Sequence, residues 1–292
     1  FSTVITAASG MVVPLIPPGV GLIIYGCINN ISIGKLFIAG IGPGIVLCVT
    51  LMIFTHFLSK KRGYLPSRTT KIPVSEKIAA VRPAFLPLLL PIIIIGGVRI
   101  GVFTASEAGT VAIVYAVLLG LLYKELTLKN VMQGCKETVT TTASIMLIVA
   151  AATCFSWILT KEQIPQQFSQ WMISNIHNKY VFLIMVNIFL LIVGMFIEGN
   201  ASMIVLAPLL HPVAMAYGID DIHFAMVYIF NCTIGAFTPP MGTLMFVSCG
   251  ITKCPTKDFI KEAVPFYILF AIDIIVLTYI PQLTTFLVNV FY

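Results

Sequence analysis

Gly235-Ala236-Phe237-Thr238-Pro239-Pro240-Met241-Gly242 sets two adjacent prolines in the middle of an apolar run, residues 223 to 250. A proline has no N–H to return to the carbonyl four residues earlier. Continued as a helix, this stretch is therefore expected to free the carbonyls of Gly235 and Ala236. A second double proline, Pro17-Pro18, interrupts the apolar run 1 to 28 and is expected to free the carbonyls of Val13 and Pro14. Unpaired carbonyls are costly away from water. A small hard cation is their natural occupant, because oxygen ligands suit it and the C-terminal end of a half-helix adds partial negative charge. Thr238 adds a hydroxyl, and Ser9, Gly10 and Gly19 play comparable parts in the first copy.

The two broken runs are copies of one another. An offset of 222 residues pairs Pro17, Pro18, Leu22, Cys27, Lys35, Phe37, Ile38 and Pro43 with Pro239, Pro240, Leu244, Cys249, Lys257, Phe259, Ile260 and Pro265. Each copy is expected to run on into a short Lys-x-Phe-Ile helix that ends at the last proline of the set. Four full spans lie between the copies, and the region 180 to 217 adds either none or two. The copies therefore run in opposite directions across the membrane. Inverted repeats with broken helices at membrane depth are the mark of secondary transporters.

Composition supports a membrane setting. Of 292 residues, 59% are hydrophobic and 10% charged, and the mean hydropathy is +1.02. Soluble domains carry about 25% charged residues to cover their solvated face, so soluble enzymes, disordered linkers and disulfide scaffolds are excluded as classes. The net charge of +6 forms no basic stripe with interleaved aromatics, so no nucleic-acid partner is expected. The seven cysteines show no C-x-x-C spacing and read as small buried hydrophobes.

The fold expected is an all-α polytopic membrane protein. Uninterrupted spans are expected at 35 to 58, 83 to 100, 104 to 123, 139 to 160 and 266 to 290. Charged connectors fall at 59 to 82 and 124 to 138, and 161 to 178 reads as an interfacial amphipathic helix. The connectors 59 to 82, 124 to 138 and 251 to 265 hold all the Lys and Arg, Arg68 and Lys71 included, except Lys35, Arg99, Lys161 and Lys179. That asymmetry puts those connectors in the cytoplasm and Tyr292 on the periplasmic side. The chain opens at Phe1 inside an apolar segment, as expected of a processed, nicked or partial chain.

Between Lys179 and Gly218, two apolar arms meet at Glu198-Gly199-Asn200-Ala201-Ser202. These arms are either two spans or a re-entrant hairpin. In the hairpin, Glu198, Asn200 and Ser202 at the tip are candidates for contact with substrate, since an acid at membrane depth is functional by default; with two spans, Glu198 is a loop acid. Glu107 follows Thr104 at the capping-box spacing. Asp273 lies within an apolar run and faces protein, without an evident partner. A hydrolase built on Ser9 and a histidine is the alternative from another class, and it needs the two within hydrogen-bond reach. A passive channel, the third reading, has no need of matched ion sites.

These residues resemble the large membrane subunit, of DctM type, of tripartite ATP-independent periplasmic (TRAP) transporters. The likeness runs through Ala8-Ser9-Gly10, Ile16-Pro17-Pro18-Gly19, Ser32-Ile33-Gly34-Lys35, Gly101-Val102-Phe103-Thr104, Gly194-Met195-Phe196-Ile197-Glu198, Gly218-Ile219-Asp220 and the double-proline stretch above, which is the most specific. Ala105 departs from the proline usual in the family. The resemblance implies an elevator-type symporter driven by sodium ions, importing an organic anion across the bacterial inner membrane. It implies two partners, a small membrane subunit and a periplasmic substrate-binding protein. It further implies a sodium site made by Gly194, Gly235, Thr238 and Met241, with a partial first-repeat site near Ser9, Gly10 and Pro17. The first hairpin of the family pattern lies outside the chain. Transport-domain segments are then expected at 1–34 and 179–250, scaffold at 35–178, and an amphipathic linker with a last scaffold helix at 251–292.

Overall fold

A computed structural model of the protein describes residues 1–64 and 73–292. Every regular element among the described residues is a helix. Contacts divide the chain into two compact units, Phe1–Thr55 with Ile145–Tyr292, and His56–Ser144. Arg68 and Lys71 of the first basic connector lie outside the described residues.

The first repeat is α1 (Ser2–Gly10), a break, α2 (Val20–Asn29) and α3 (Ile33–Lys61). The second is α10 (Asp221–Gly235), a break, α11 (Thr243–Thr252) and α12 (Thr256–Tyr279), followed by α13 (Gln282–Phe291). Each broken helix restarts behind a glycine, Gly19 or Gly242, and its second half ends on a left-handed residue, Asn30 (φ 56°) or Lys253 (φ 53°). These matched caps fix the register. Asn30 pairs with Lys253 and Ile33 with Thr256, an offset of 223 and not 222. The step from the double proline to the capping glycine is one residue longer in the second break, where Met241 stands between Pro240 and Gly242. Burial agrees with the new offset, since Leu36, Gly40, Pro43, Leu47 and Leu51 of α3 and their counterparts Phe259, Ala263, Phe266, Phe270 and Ile274 of α12 are all buried. The identities beyond the break at offset 222 are thus not structural equivalents.

Three further expectations are corrected. The helices after the breaks do not end at Pro43 and Pro265, because α3 and α12 run through them. A proline inside a helix removes one hydrogen bond, and the apolar faces on both sides of it are still buried. The last span, 266 to 290, is not one helix, since α12 and α13 meet at a 49° bend, where Pro281 cannot continue the ladder. The connector 124 to 138 is largely helical, being the first turns of α6 (Leu128–Lys161). The amphipathic segment is α7 (Ile164–Asn175), and the two arms are α8 (Lys179–Phe196) and α9 (Gly199–Ala216). By length and composition α3, α6, α8 and α9 can each cross a membrane.

The second unit contains α4 (Val74–Arg99), which starts ahead of the expected span, and α5 (Ala105–Leu122). Three prolines, Pro83, Pro87 and Pro91, sit inside α4. Pro87 leaves the Pro83 carbonyl without its helical donor, and the Tyr123 hydroxyl donates to that oxygen at 2.9 Å. Tyr115 does the same for the Leu86 carbonyl at 2.7 Å. The expected capping box opens α5, with Glu107 N–H donating to Thr104 Oγ1 and Thr104 N–H donating to Glu107 Oε2.

Candidate functional site

The second break closes the two carbonyls that its prolines were expected to free. The last turn of α10 tightens, so that Phe237 N–H donates to Ile234 O and Thr238 N–H donates to Gly235 O, each at 3.0 Å. Leu244 N–H, from the first turn of α11, donates to Ala236 O at 2.9 Å. The carbonyls that Pro239 and Pro240 were expected to free are thus each in one hydrogen bond. Only their second lone pairs remain. The Thr238 hydroxyl turns back to donate to Ile234 O at 2.8 Å. The chain here is so folded on itself that a Cβ at Gly242 would lie 2.7 Å from Thr238 O and 2.8 Å from Ala236 O.

In the first break, successive tight turns carry the chain from Gly10 to Ile16, and no hydrogen bond reaches the carbonyls of Val13 and Pro14 among the described residues. The Pro14 carbonyl lies against Gly19, as the Ala236 carbonyl lies against Gly242. Ser9 is exposed and its hydroxyl donates to Thr6 O at 2.8 Å. Pro17 is buried, and Gly10 faces the Leu244 side chain.

The hairpin meets the second break at its backbone. Gly194 and Gly235 pack Cα to Cα, and a Cβ on Gly235 would lie 2.5 Å from Gly194 Cα and 2.6 Å from its carbonyl carbon. One residue further along the hairpin, Met195 O accepts from Met241 N–H at 3.1 Å. Gly194, Gly235 and Met241 are thereby brought together, with Thr238 in the same short segment.

A cavity of about 440 Å³ opens between both breaks and the hairpin tip, lined by Gly10, Pro14 and Pro18, by Glu198 and Asn200, and by Ala236 and Thr243. Three helix N-termini border it, those of α2, α9 and α11. Glu198 caps α9, accepting from Ala201 N–H at 3.0 Å and from the Asn200 amide at 2.8 Å. The other two have glycine N-caps and no side-chain cap. Aligned peptide dipoles place partial positive charge and unpaired N–H groups at such ends, which suits an anion. Ser202 does not line the cavity. It is buried in the contact of α9 with α10, where Ser202 Oγ and Tyr228 Oη lie 3.1 Å apart and the Tyr228 hydroxyl also reaches Ser202 O.

Behind the cavity runs a buried polar chain whose pairing the sequence did not disclose. Asn231 donates to Asn187 Oδ1 at 2.8 Å, and Asn187 donates to Thr278 Oγ1 at 2.9 Å. His223 bonds Thr284 Oγ1 through Nδ1 and Thr278 O through Nε2. Asn187 and Asn231 stand alone in apolar runs, seven residues before Gly194 and four before Gly235, and that spacing was the available signal. His211 lies 3.4 Å from the Tyr25 hydroxyl and His223 is held as above, while the Ser9 hydroxyl bonds Thr6 O. Among the described residues, no hydrogen bond joins Ser9 to a histidine, as the hydrolase reading requires.

Two discontinuous helices and a helical hairpin closing on one cavity define an all-α membrane transporter of the broken-helix kind. The chain belongs to the tripartite ATP-independent periplasmic transporter DctM component family, whose model matches residues 1–283. Over its whole length it is 40% identical to the sialic acid TRAP transporter large permease protein SiaM of Vibrio cholerae, covering 68% of that protein. It is 36% identical to the C4-dicarboxylate TRAP transporter large permease protein DctM of Pseudomonas aeruginosa, with 99% of the chain and 67% of that protein aligned. It is also 36% identical to the sialic acid TRAP transporter permease protein SiaT of Haemophilus influenzae, with 98% of the chain but 46% of that protein aligned.

Proposed function

We propose that the chain is the large membrane subunit of a sodium-coupled symporter that imports an organic anion, a sialic acid, C4-dicarboxylate or sugar acid, across the bacterial inner membrane. A periplasmic binding protein delivers the anion and a small membrane subunit completes the membrane part. Residues 1–34 and 179–250 form the moving transport domain, with α8 and α9 as a re-entrant hairpin. Residues 35–178 form the scaffold, 251–292 an amphipathic linker with a last scaffold helix, and Tyr292 is periplasmic.

The observation that carries this reading is the single cavity shared by both breaks and the hairpin tip. Its uncapped α2 and α11 N-termini suit a carboxylate without any lysine or arginine in the lining. Sodium binds behind it, where the second lone pairs of the break carbonyls, the Thr238 hydroxyl and Met241 meet the contact of Gly194 in α8 with Gly235 at the end of α10. The first-repeat ion uses the open carbonyls near Ser9, Gly10 and Pro17. Because the two sets of groups share the backbone of the breaks, a sodium ion that orders a break also fixes the N–H groups that face the anion. Coupling of this kind is a difference in affinity between states. The test is the sodium dependence of uptake in Thr238→Ala, reconstituted with both partner proteins. The half-saturating sodium concentration should rise several-fold, and an unchanged sodium dependence removes Thr238 from the site.

A further inference from the structure

Asp273 lies deep in α12, 2% exposed, and its partner is Thr50 of α3. Thr50 Oγ1 is 2.9 Å from Asp273 Oδ2 and also 3.1 Å from Leu47 O. At the offset of 223 set by the helix caps, residues 50 and 273 are equivalent positions of the two repeats. The helices that follow the two breaks therefore touch at their own counterparts, as a two-fold crossing requires.

The two contacts of Thr50 bear on where the protons are. A hydroxyl has one hydrogen, and an ionised carboxylate and a carbonyl are both acceptors only. With Asp273 ionised, Thr50 can serve one of the two oxygens, and a full negative charge is left buried between apolar helices with no cation paired to it among the described residues. With Asp273 protonated, both distances are explained at once. Oδ2–H donates to Thr50 Oγ1, and Thr50 Oγ1–H donates to Leu47 O. On the helices packed against α12, His223 is held by Thr284 and Thr278, and Tyr228 and Cys232 by Ser202; Lys35, Lys179, Tyr180 and Asp221 sit in first turns, His56, Lys60 and Lys61 lie in the last two turns of α3, and Cys48 and Cys249 are free thiols.

We propose that Asp273 is a proton-binding site, a neutral carboxylic acid in the packed protein that joins α3 to α12 by a two-step hydrogen-bond relay through Thr50. The site is separate from the cavity of the breaks and does not depend on the sodium reading. Infrared spectroscopy of the protein in lipid bilayers near neutral pH tests it. The chain has four aspartates, and the other three, Asp220, Asp221 and Asp258, cap or begin their helices. Labelling with [4-13C]aspartate should shift a protonated carboxylic C=O band, and that band should be missing in Asp273→Asn. Thr50→Val should move it to higher frequency by removing the hydroxyl that accepts from it. Aspartate signals confined to ionised carboxylate bands overturn the proposal, and the isotope shift gives that answer in the unsubstituted protein even if a variant fails to fold. A protonated band unmoved by Thr50→Val overturns the relay.

Discussion

Gly194 and Gly235 are in direct backbone contact, so that a Cβ on Gly235 would fall 2.6 Å from the carbonyl carbon of Gly194. The end of the hairpin arm and the end of the broken helix share one point in space because neither carries a side chain there. Met241 N–H, bonded to Met195 O at 3.1 Å, holds the far side of the break to the same arm. Oxygen atoms from two elements can then converge on one ion only while this contact stays closed.

Gly235→Ala should therefore be costly. The new methyl meets backbone, which cannot rotate away as a side chain can, and overpacking of this kind costs about 1–3 kcal/mol. We expect a lowered melting temperature together with loss of sodium-dependent uptake. Gly10→Ala is the control, because its Cβ would lie 3.5 Å from a Leu244 methyl, an ordinary contact, and its melting temperature should change little.

The buried amides should behave as a coupled pair. Asn187→Ala leaves both the Asn231 amide and Thr278 short of a partner, and an unsatisfied buried polar group costs about 1–3 kcal/mol. The double variant with Asn231→Ala should cost less than the sum of the single ones. Strict additivity in denaturant or thermal unfolding would show that the two amides do not act together.

Glu198 acts on the cavity through the start of α9. Glu198→Ala should destabilise by about 1 kcal/mol through the lost cap and raise the substrate concentration for half-maximal uptake, since Asn200 loses its tether. Glu198→Gln keeps an acceptor for Ala201 N–H, and its uptake should remain closer to that of the unsubstituted protein. Equal losses in both variants would mean that the charge, and not the cap, is what uptake requires.

Tyr123→Phe removes the side-chain donor to a carbonyl that Pro87 deprives of its helical bond. We expect about 0.5–1.5 kcal/mol of destabilisation, and a smaller effect of Tyr115→Phe, whose target Leu86 O keeps the N–H of Leu90 as a helical donor. Thermal unfolding of the two variants side by side distinguishes them.

What the sequence disclosed follows from what is local. Paired prolines in apolar runs announce a broken helix, the Thr104–Glu107 spacing announces a capping box, and scarce charge announces the membrane. The offset of 222 fits the double prolines but not the helices after them, because one added residue, Met241, shifts every later position without erasing chance identities such as Phe37 with Phe259. The fate of the Gly235 and Ala236 carbonyls was not legible, since it depends on how far the chain turns back after Pro240 to bring Leu244 N–H to Ala236. Ser202 looked like a tip residue by proximity to Glu198, yet one helical turn carries it into the contact with Tyr228. The partner of Asp273 is 223 residues away, and only packing could name it.

The most direct measurement is uptake of a radiolabelled organic acid by proteoliposomes holding the permease and its small membrane subunit, with the delivering protein outside. An inward sodium gradient should drive accumulation above the outside concentration, collapse of that gradient should abolish it, and Gly235→Ala should remove the sodium effect. Accumulation indifferent to the sodium gradient would contradict the assignment of the breaks as sodium sites.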